Sequence, residues 1–377
     1  MFALSHEMDG IFACDDRDAM PAFAGDWDRL AAAETLYTPP FTDFDGLRGD
    51  PNLYLRLVGY REHGQVVHLA VFASGTEPRT YWLGPKRLMA LSVRTVRLFG
   101  STVVGGPDEV AMRAMLTAGL AGHGKDLLAF EDLPASSALM LLAEKKQLDG
   151  PVRISHHNTA RRLIGLPATM EDYWAALRPN TRKTAQRDQR YFERCAPQYS
   201  RFTGRDAAKD FLPAAAAVSA QSYQSGLGFG LRDDAKTRSR FDALADEGRL
   251  RCYLATVDGV PAAFAWGDVA HGVFYFRMTG YDPALGRNSA GKAIMFEVIR
   301  DLIETRAANT FDFGIRDMPY KERFGTMTID TAHVLVACSL RGRIALTLDR
   351  SLDASKAIIL RLINPGRLAQ IKRRLRG

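Results

Sequence analysis

Cysteine is scarce and scattered: Cys14, Cys195, Cys252 and Cys338 are the only four in 377 residues, and no two form a CxxC pair. That spacing excludes the usual zinc-ligand pattern and a disulfide framework, and it suits a reducing compartment. Long apolar runs are missing too. No stretch reaches the roughly 18 residues needed to span a bilayer. The first residues, Met1 to Asp18, are acidic where a secretion signal would be basic. The expectation is a cytoplasmic protein. Internal repeats and low-complexity segments are lacking as well. Excess charge is absent from most of the chain. The formal net charge is +7, yet Arg350 to Gly377 holds eight basic residues and one acidic residue, which accounts for all of it. A basic tail is a local device for a partner, and the balanced remainder argues against nucleic-acid binding along the whole chain.

What is present is the grammar of a mixed α/β protein long enough for two domains. In the first half, Val66–Phe72 and Val96–Val104 read as strands, Glu109–Gly122 as a helix with Asp108 as N-cap, Asp126–Phe130 as a strand and Ala135–Lys146 as a helix. This domain is expected to end near Leu166. Then come helices over Met170–Leu177, resuming after Pro179, and over Asp206–Tyr223 and Asp233–Glu247. Strands follow at Leu250–Val257, Val260–Asp268 and Val273–Tyr281, the first two joined by the hairpin signal Asp258-Gly259. A loop leads into a helix over about 292–306. Strands at Phe311–Ile315 and about Thr331–Leu340 close the series. Helices before a three-stranded meander do not suit a doubly wound nucleotide fold, whose strands and helices alternate from the start.

Three segments carry candidate chemistry. Arg287-Asn288-Ser289-Ala290-Gly291-Lys292 opens a helix. A helix N-terminus offers unpaired N–H groups to phosphate, although Ser289 as an ordinary N-cap explains the same residues. Asp312 to Phe324 sends Arg316, Asp317, Tyr320, Lys321, Glu322 and Arg323 from the end of one strand, a common place for a site and also a pattern for a solvated loop. Its Asp312-Phe313-Gly314 lacks the companion motifs of a kinase. The basic helix Arg178 to Arg194 holds Arg178, Arg182, Lys183, Arg187, Arg190 and Arg194. It reads either as a solvated face or as a surface for an anionic substrate. His156-His157 fails the HHxxxD pattern because Arg161 stands where the aspartate should be.

The strand order, Phe311 to Phe324, Thr279-Gly280-Tyr281-Asp282-Pro283 and Leu177 to Lys183 together resemble the GNAT-like acyltransferases of the CelD/BcsL type, which are similar to Fem-type aminoacyltransferases. The likeness covers about Tyr173 to Val336 well and the first half loosely. It implies two tandem GNAT-like domains with mixed central sheets flanked by helices: residues 1–166, non-catalytic; 167–348, catalytic; and a basic helical tail, 349–377. It implies acyl transfer from acetyl-CoA or another acyl-CoA to an amine or hydroxyl, often in exopolysaccharide or cell-envelope synthesis, without a metal. Two strands of the catalytic sheet would splay to admit the pantetheine arm. Asp312 is the candidate base or acceptor-orienting group, or else simply the cap of a loop; Tyr320 is the candidate proton donor to the leaving thiolate, and Lys321 the candidate partner of a phosphate or carboxylate of either substrate. Tyr281, Arg287, Ser289, Gly291 and Lys292 would hold the cofactor, and Arg182, Lys183, Arg316, Asp317 and Arg323 the acceptor. Ala290 departs from the family's phosphate-loop glycine. The rivals are an aminoacyl-tRNA-dependent Fem-type transferase, for which tRNA is the partner, and a non-catalytic GNAT-like binding module. The tail, with Ile358, Ile359, Leu360 and Leu362 among its basic residues, is expected to pack on its domain with some peripheral attraction to a membrane.

Overall fold

Three short hairpins organise the strands. His63-Gly64, Asp258-Gly259 and His271-Gly272 each place two successive residues at positive φ (51° and 74°, 51° and 77°, 49° and 74°). Two left-handed residues are what a type I′ turn needs to follow the twist of its strands. The computed structural model describes residues 9–33, 38–83, 86–122, 124–156, 160–221, 230–314 and 318–362. Among these, the strands are β1 (Gly10–Cys14), β2 (Tyr54–Glu62), β3 (Gln65–Leu83), β4 (Lys86–Leu98), β5 (Leu127–Pro134), β6 (Val152–Ser155) and β7 (Arg161–Gly165). They continue as β8 (Gln198–Phe202), β9 (Leu250–Val257), β10 (Val260–Ala270), β11 (Val273–Tyr281), β12 (Thr310–Asp312), β13 (Met327–Ile329) and β14 (Thr331–Ala337).

They form two seven-stranded sheets, ordered β1-β2-β3-β4-β5-β14-β6 and β13-β7-β12-β11-β10-β9-β8. Each is mixed, antiparallel except where β4 meets β5 and β11 meets β12. Helices flank both, as expected from the sequence. The boundaries differ from those expected. The chain divides into one unit of Met1–His157 with Ala332–Gly377, and a second of Asn158–Thr331. β7 follows the first unit's strands in the chain but lies between β12 and β13. β14 follows β13 but lies between β5 and β6. The strand expected at Thr331–Leu340 thus exists as β14 in the other sheet. Successive elements are usually spatial neighbours, and a sequence carries no local mark of an exception. The expected separate tail at 349 is also not separate, since one helix runs through that point, Leu340–Leu362, and positions 363–377 lie outside the described residues.

In the second unit, the helix Ala290–Thr305 covers one face of the sheet with Ile294, Phe296, Val298, Ile299, Leu302 and Ile303, all at most 5% exposed. Their spacing is that of a broad apolar helical stripe. Phe296 meets Trp174 and Phe324 edge-on. The helices Leu212–Gln221 and Ala235–Asp246 cover the opposite face with Phe211, Phe241 and Leu244 against Phe264 and Trp266. Asp234 caps the second of these helices, its carboxylate accepting from the Thr237 N–H at 2.8 Å. No helix among the described residues is long and apolar enough to cross a membrane.

Candidate active site

β11 and β12 run side by side for three residues only: Val273 opposite Thr310, Phe274 opposite Phe311, and Tyr275 opposite Asp312. β11 continues to Tyr281, while the chain leaves β12 through Gly314 at φ 75°. Among the described residues, the half of β11 beyond Tyr275 therefore has no ladder partner on that side. Backbone groups at such a divergence are available to a ligand. The other side of β11 is bulged. Gly267 faces Phe276 and Trp266 faces Met278, so Arg277 is the extra residue. A Cβ on Gly267 would lie 2.3 Å from the Tyr275 carbonyl oxygen, so only glycine fits there. Asp268, fully buried, accepts from Arg277 at 2.5 Å and Arg249 at 2.7 Å. This pairing clamps the bulge.

Asp312 sits at the fork. Its side chain shares a sheet face with Leu163, opposite it on β7, and hence with Arg161 two residues along. Arg161 Nε donates to Asp312 Oδ2 at 2.8 Å and a second guanidinium nitrogen donates to the same oxygen. Oδ1 accepts from the Gly314 N–H at 2.7 Å. Asp312 is 0% and Arg161 5% exposed. A buried carboxylate engaged on both oxygens holds the turn, and this geometry does not offer it to an acceptor's proton. Lys321 is buried as well, and its Nζ donates to the Gly314 carbonyl at 3.2 Å. Asp312 and Lys321 thus both brace Gly314. Tyr320 packs edge-on against Phe313, with centroids 5.9 Å apart, at the lip of the fork. The buried Tyr173 donates to the Phe324 carbonyl at 3.2 Å, and burial pushes its hydroxyl well above the usual tyrosine range, so its proton stays committed to that carbonyl.

The helix Ala290–Thr305 begins beside the free end of β11. Ser289 takes left-handed φ (64°) and makes no side-chain cap, so it is not the ordinary N-cap the sequence allowed. Its carbonyl accepts from Lys292 and Ala293 at 3.0 Å each. That leaves the first N–H groups of the helix without intrahelical partners. A Cβ on Gly291 would lie 2.6 Å from the Tyr281 ring, so the glycine lets strand end and helix start close together. Lys292 is committed elsewhere: its Nζ pairs with Asp188 at 2.5 Å, tying this helix to the basic helix Pro179–Glu193. The paired residues are two positions into one helix and nine into the other. The side chains of Arg182 and Lys183, on the first turns of the basic helix, make no hydrogen bond or ion pair among the described residues. Arg323 is exposed. The side chain of Arg287, and Arg316 and Asp317 entirely, lie outside the described residues.

The first unit treats the matching place differently. After the short β4–β5 pairing, the chain turns at Gly100 (φ 65°), and Val104 bridges back to Leu69 on β3. The following helix, Glu109–Leu120, is capped by Asp108, whose carboxylate accepts from the Ala111 N–H at 2.8 Å. Its anion position is filled by the chain itself. A groove of about 690 Å³ lies along β6 near Arg350 and Asp353, and no expected site residue lines it. No cluster of three or more His, Cys, Asp or Glu among the described residues could hold a metal ion.

A mixed sheet with a forked parallel pair and a helix starting at the fork is the GNAT-like fold the sequence led us to expect. Residues 179–322 match the sequence family described as an acetyltransferase (GNAT) domain. No curated protein matches the chain. Among solved structures, FemX aligns with 83% of this chain and 96% of its own at a TM-score of 0.58 and 12% identity. The C-terminal domain of a putative lysylphosphatidylglycerol synthetase from Agrobacterium fabrum aligns with 89% and 98% at 0.54 and 12%. A conserved protein of unknown function from Bacteroides thetaiotaomicron aligns with 87% and 99% at 0.53 and 12%. At these identities the likeness is one of fold, and it spans both units.

Proposed function

We propose that the chain is a coenzyme A-dependent acyltransferase that acylates an amine or hydroxyl of a sugar, lipid or amino precursor, of the CelD/BcsL type and in envelope or exopolysaccharide synthesis. The observation that carries this reading is the fork between β11 and β12 beside an uncapped helix start, within the segment that matches the acetyltransferase family. The residues fit the donor: Gly291 leaves backbone exposed where a side chain would intrude, and the first helical N–H groups suit phosphate oxygens. Coenzyme A would supply the acyl group as a thioester. The chain's own part is to hold and polarise. N–H groups of β11 beyond Tyr275 can donate to a carbonyl oxygen as it gains negative charge. The Asp312–Arg161 pair and Lys321 fix the Gly314 lip. Tyr320 stands nearest the lip as a proton donor to the leaving sulfur. Arg182, Lys183 and Arg323 are left for anionic groups of either substrate. The first unit, with its helix start self-capped, contributes no donor site on this reading.

Calorimetry with acetyl-CoA tests it, followed by release of free thiol in the presence of amine and hydroxyl acceptors. Absence of binding to any acyl-CoA sinks the proposal. The unpaired Arg182 and Lys183 favour a second reading, transfer from aminoacyl-tRNA in the Fem manner. That reading predicts tRNA binding that weakens steeply with salt. Both donors are cytoplasmic, which is the compartment either reading requires. A binding module without turnover is the reading left if acetyl-CoA binds and no acceptor releases thiol. Peripheral contact of the basic tail with the membrane would suit a lipid-linked acceptor.

A further inference from the structure

The hairpin of β3 and β4 is long and its far end is apolar without cover. Pairing runs from Phe72 opposite Leu98 out to Leu83 opposite Lys86. Near the root, Phe72, Val96 and Leu98 are buried. Towards the tip, Trp82, Leu88 and Met89 are 49%, 50% and 42% exposed. The register slips between Tyr81 and Trp82, leaving Leu88 unmatched in the ladder. The helix Leu340–Leu362 runs beside this arm. The Tyr81 hydroxyl donates to the Ala345 carbonyl at 3.2 Å, Arg79 pairs with Asp349 at 2.5 Å, and Arg341 donates to the Ser92 carbonyl at 3.3 Å. On the adjoining turns of that helix, Leu340 and Ile344 are exposed as well. Grouped exposed apolar side chains of this size mark a contact surface.

Charge indicates what the surface contacts. Arg79–Ser92 and Leu340–Leu352 together hold six basic residues and one acidic residue, and that one, Asp349, is neutralised by Arg79. The side chains of Arg87 and Arg343 have no hydrogen-bond or ionic partner among the described residues. A second copy of the chain would bring these cations against one another. We propose that the arm tip and the first turns of this helix dock on a bilayer leaflet containing anionic phospholipid. Trp82, Leu88 and Met89 enter the interfacial layer, and the arginines meet headgroup phosphates.

Trp82 reports its own contact, because Trp27 and Trp266 are buried and Trp174 is half-buried. The full chain is mixed with vesicles of phosphatidylcholine, alone or with phosphatidylglycerol. Co-sedimentation with the anionic vesicles is expected, with a blue shift of tryptophan emission and quenching by brominated lipid. Trp82→Ser should remove the emission change. Arg87→Glu with Arg343→Glu should weaken binding more than tenfold, since each lost cation near the surface is worth about fivefold. All three positions are exposed, so the fold survives and circular dichroism confirms it. The proposal is overturned if the wild-type chain ignores anionic vesicles, or if these variants bind as well as it does. It is equally overturned if only removal of residues 363–377 abolishes binding, or if Leu88→Ser turns a dimer into a monomer without any vesicle contact.

Discussion

Replacing Asp312 by asparagine separates two accounts of the fork. As a base, Asp312 would matter for turnover and little for stability. As the buried partner of Arg161, it should matter mainly for stability. The side chain is fully buried, Arg161 is nearly so, and the guanidinium makes two hydrogen bonds to one carboxylate oxygen. Asparagine keeps the shape but removes the charge. It also turns one oxygen into a donor, which must then face either Arg161 or the Gly314 N–H, both donors themselves. Stranding a buried charge in this way costs about 3–5 kcal/mol. For a unit of this size each kcal/mol lowers the melting temperature by roughly 2–4 °C, so the expected fall is about 6–20 °C. Calorimetric melting reads this, and thioester consumption well below the transition reads turnover per folded molecule. Arg161→Met combined with Asp312→Leu should recover much of the loss, because a well-packed apolar pair often replaces a buried ion pair without penalty. A melting temperature unchanged in Asp312→Asn, with turnover down ~100-fold, would refute the reasoning and restore Asp312 as a base.

Gly291→Val should push the Tyr281 ring aside and raise the acetyl-CoA dissociation constant by at least tenfold, about 1.4 kcal/mol, as calorimetry would show. Acetyl-CoA should titrate to a single site per chain, and Asp108→Asn should leave that stoichiometry alone; a second site would contradict the self-capped helix start of the first unit. Burial pushes the Glu297 carboxyl up despite its ion pair with Arg300. The native state therefore holds that proton to higher pH than the unfolded chain does. Stability from this group is greatest below the ordinary glutamate range and falls as pH rises through the raised value. Melting of Glu297→Gln against pH should lack that decline.

Local features were legible in the sequence because local chemistry fixes them. The Asp258-Gly259 turn, the Asp108 cap and the meander of β9, β10 and β11 lie within a few residues of where patterning places them. The fork itself followed from element order and family resemblance. Its side-chain partners did not. Arg161 and Asp312 are 151 positions apart, and Lys292 and Asp188 are 104 apart. Asp312 read equally as a base or as a loop cap, and Lys292 as a phosphate ligand, because each was read without the cation or anion that pairs with it. One signal was available: the short strand Arg161–Gly165 turns its first arginine to the same face as Leu163, and an inward-facing charge on a strand implies a buried counter-charge.

The reciprocal placing of β7 and β14 also sets an order of events during synthesis. β5 and β6 leave the ribosome early, but the strand that separates them, β14, follows β6 by roughly 180 residues. At ~5–20 residues per second that is a wait of about 10–40 s. Through it the nascent first sheet presents two open edges, and Ala332, Val334 and Val336, which complete its core, are still missing. The second unit must be made before the first can close. A chain stopped before residue 331 should therefore be a substrate for chaperones and aggregation even though its first 157 residues have all been made.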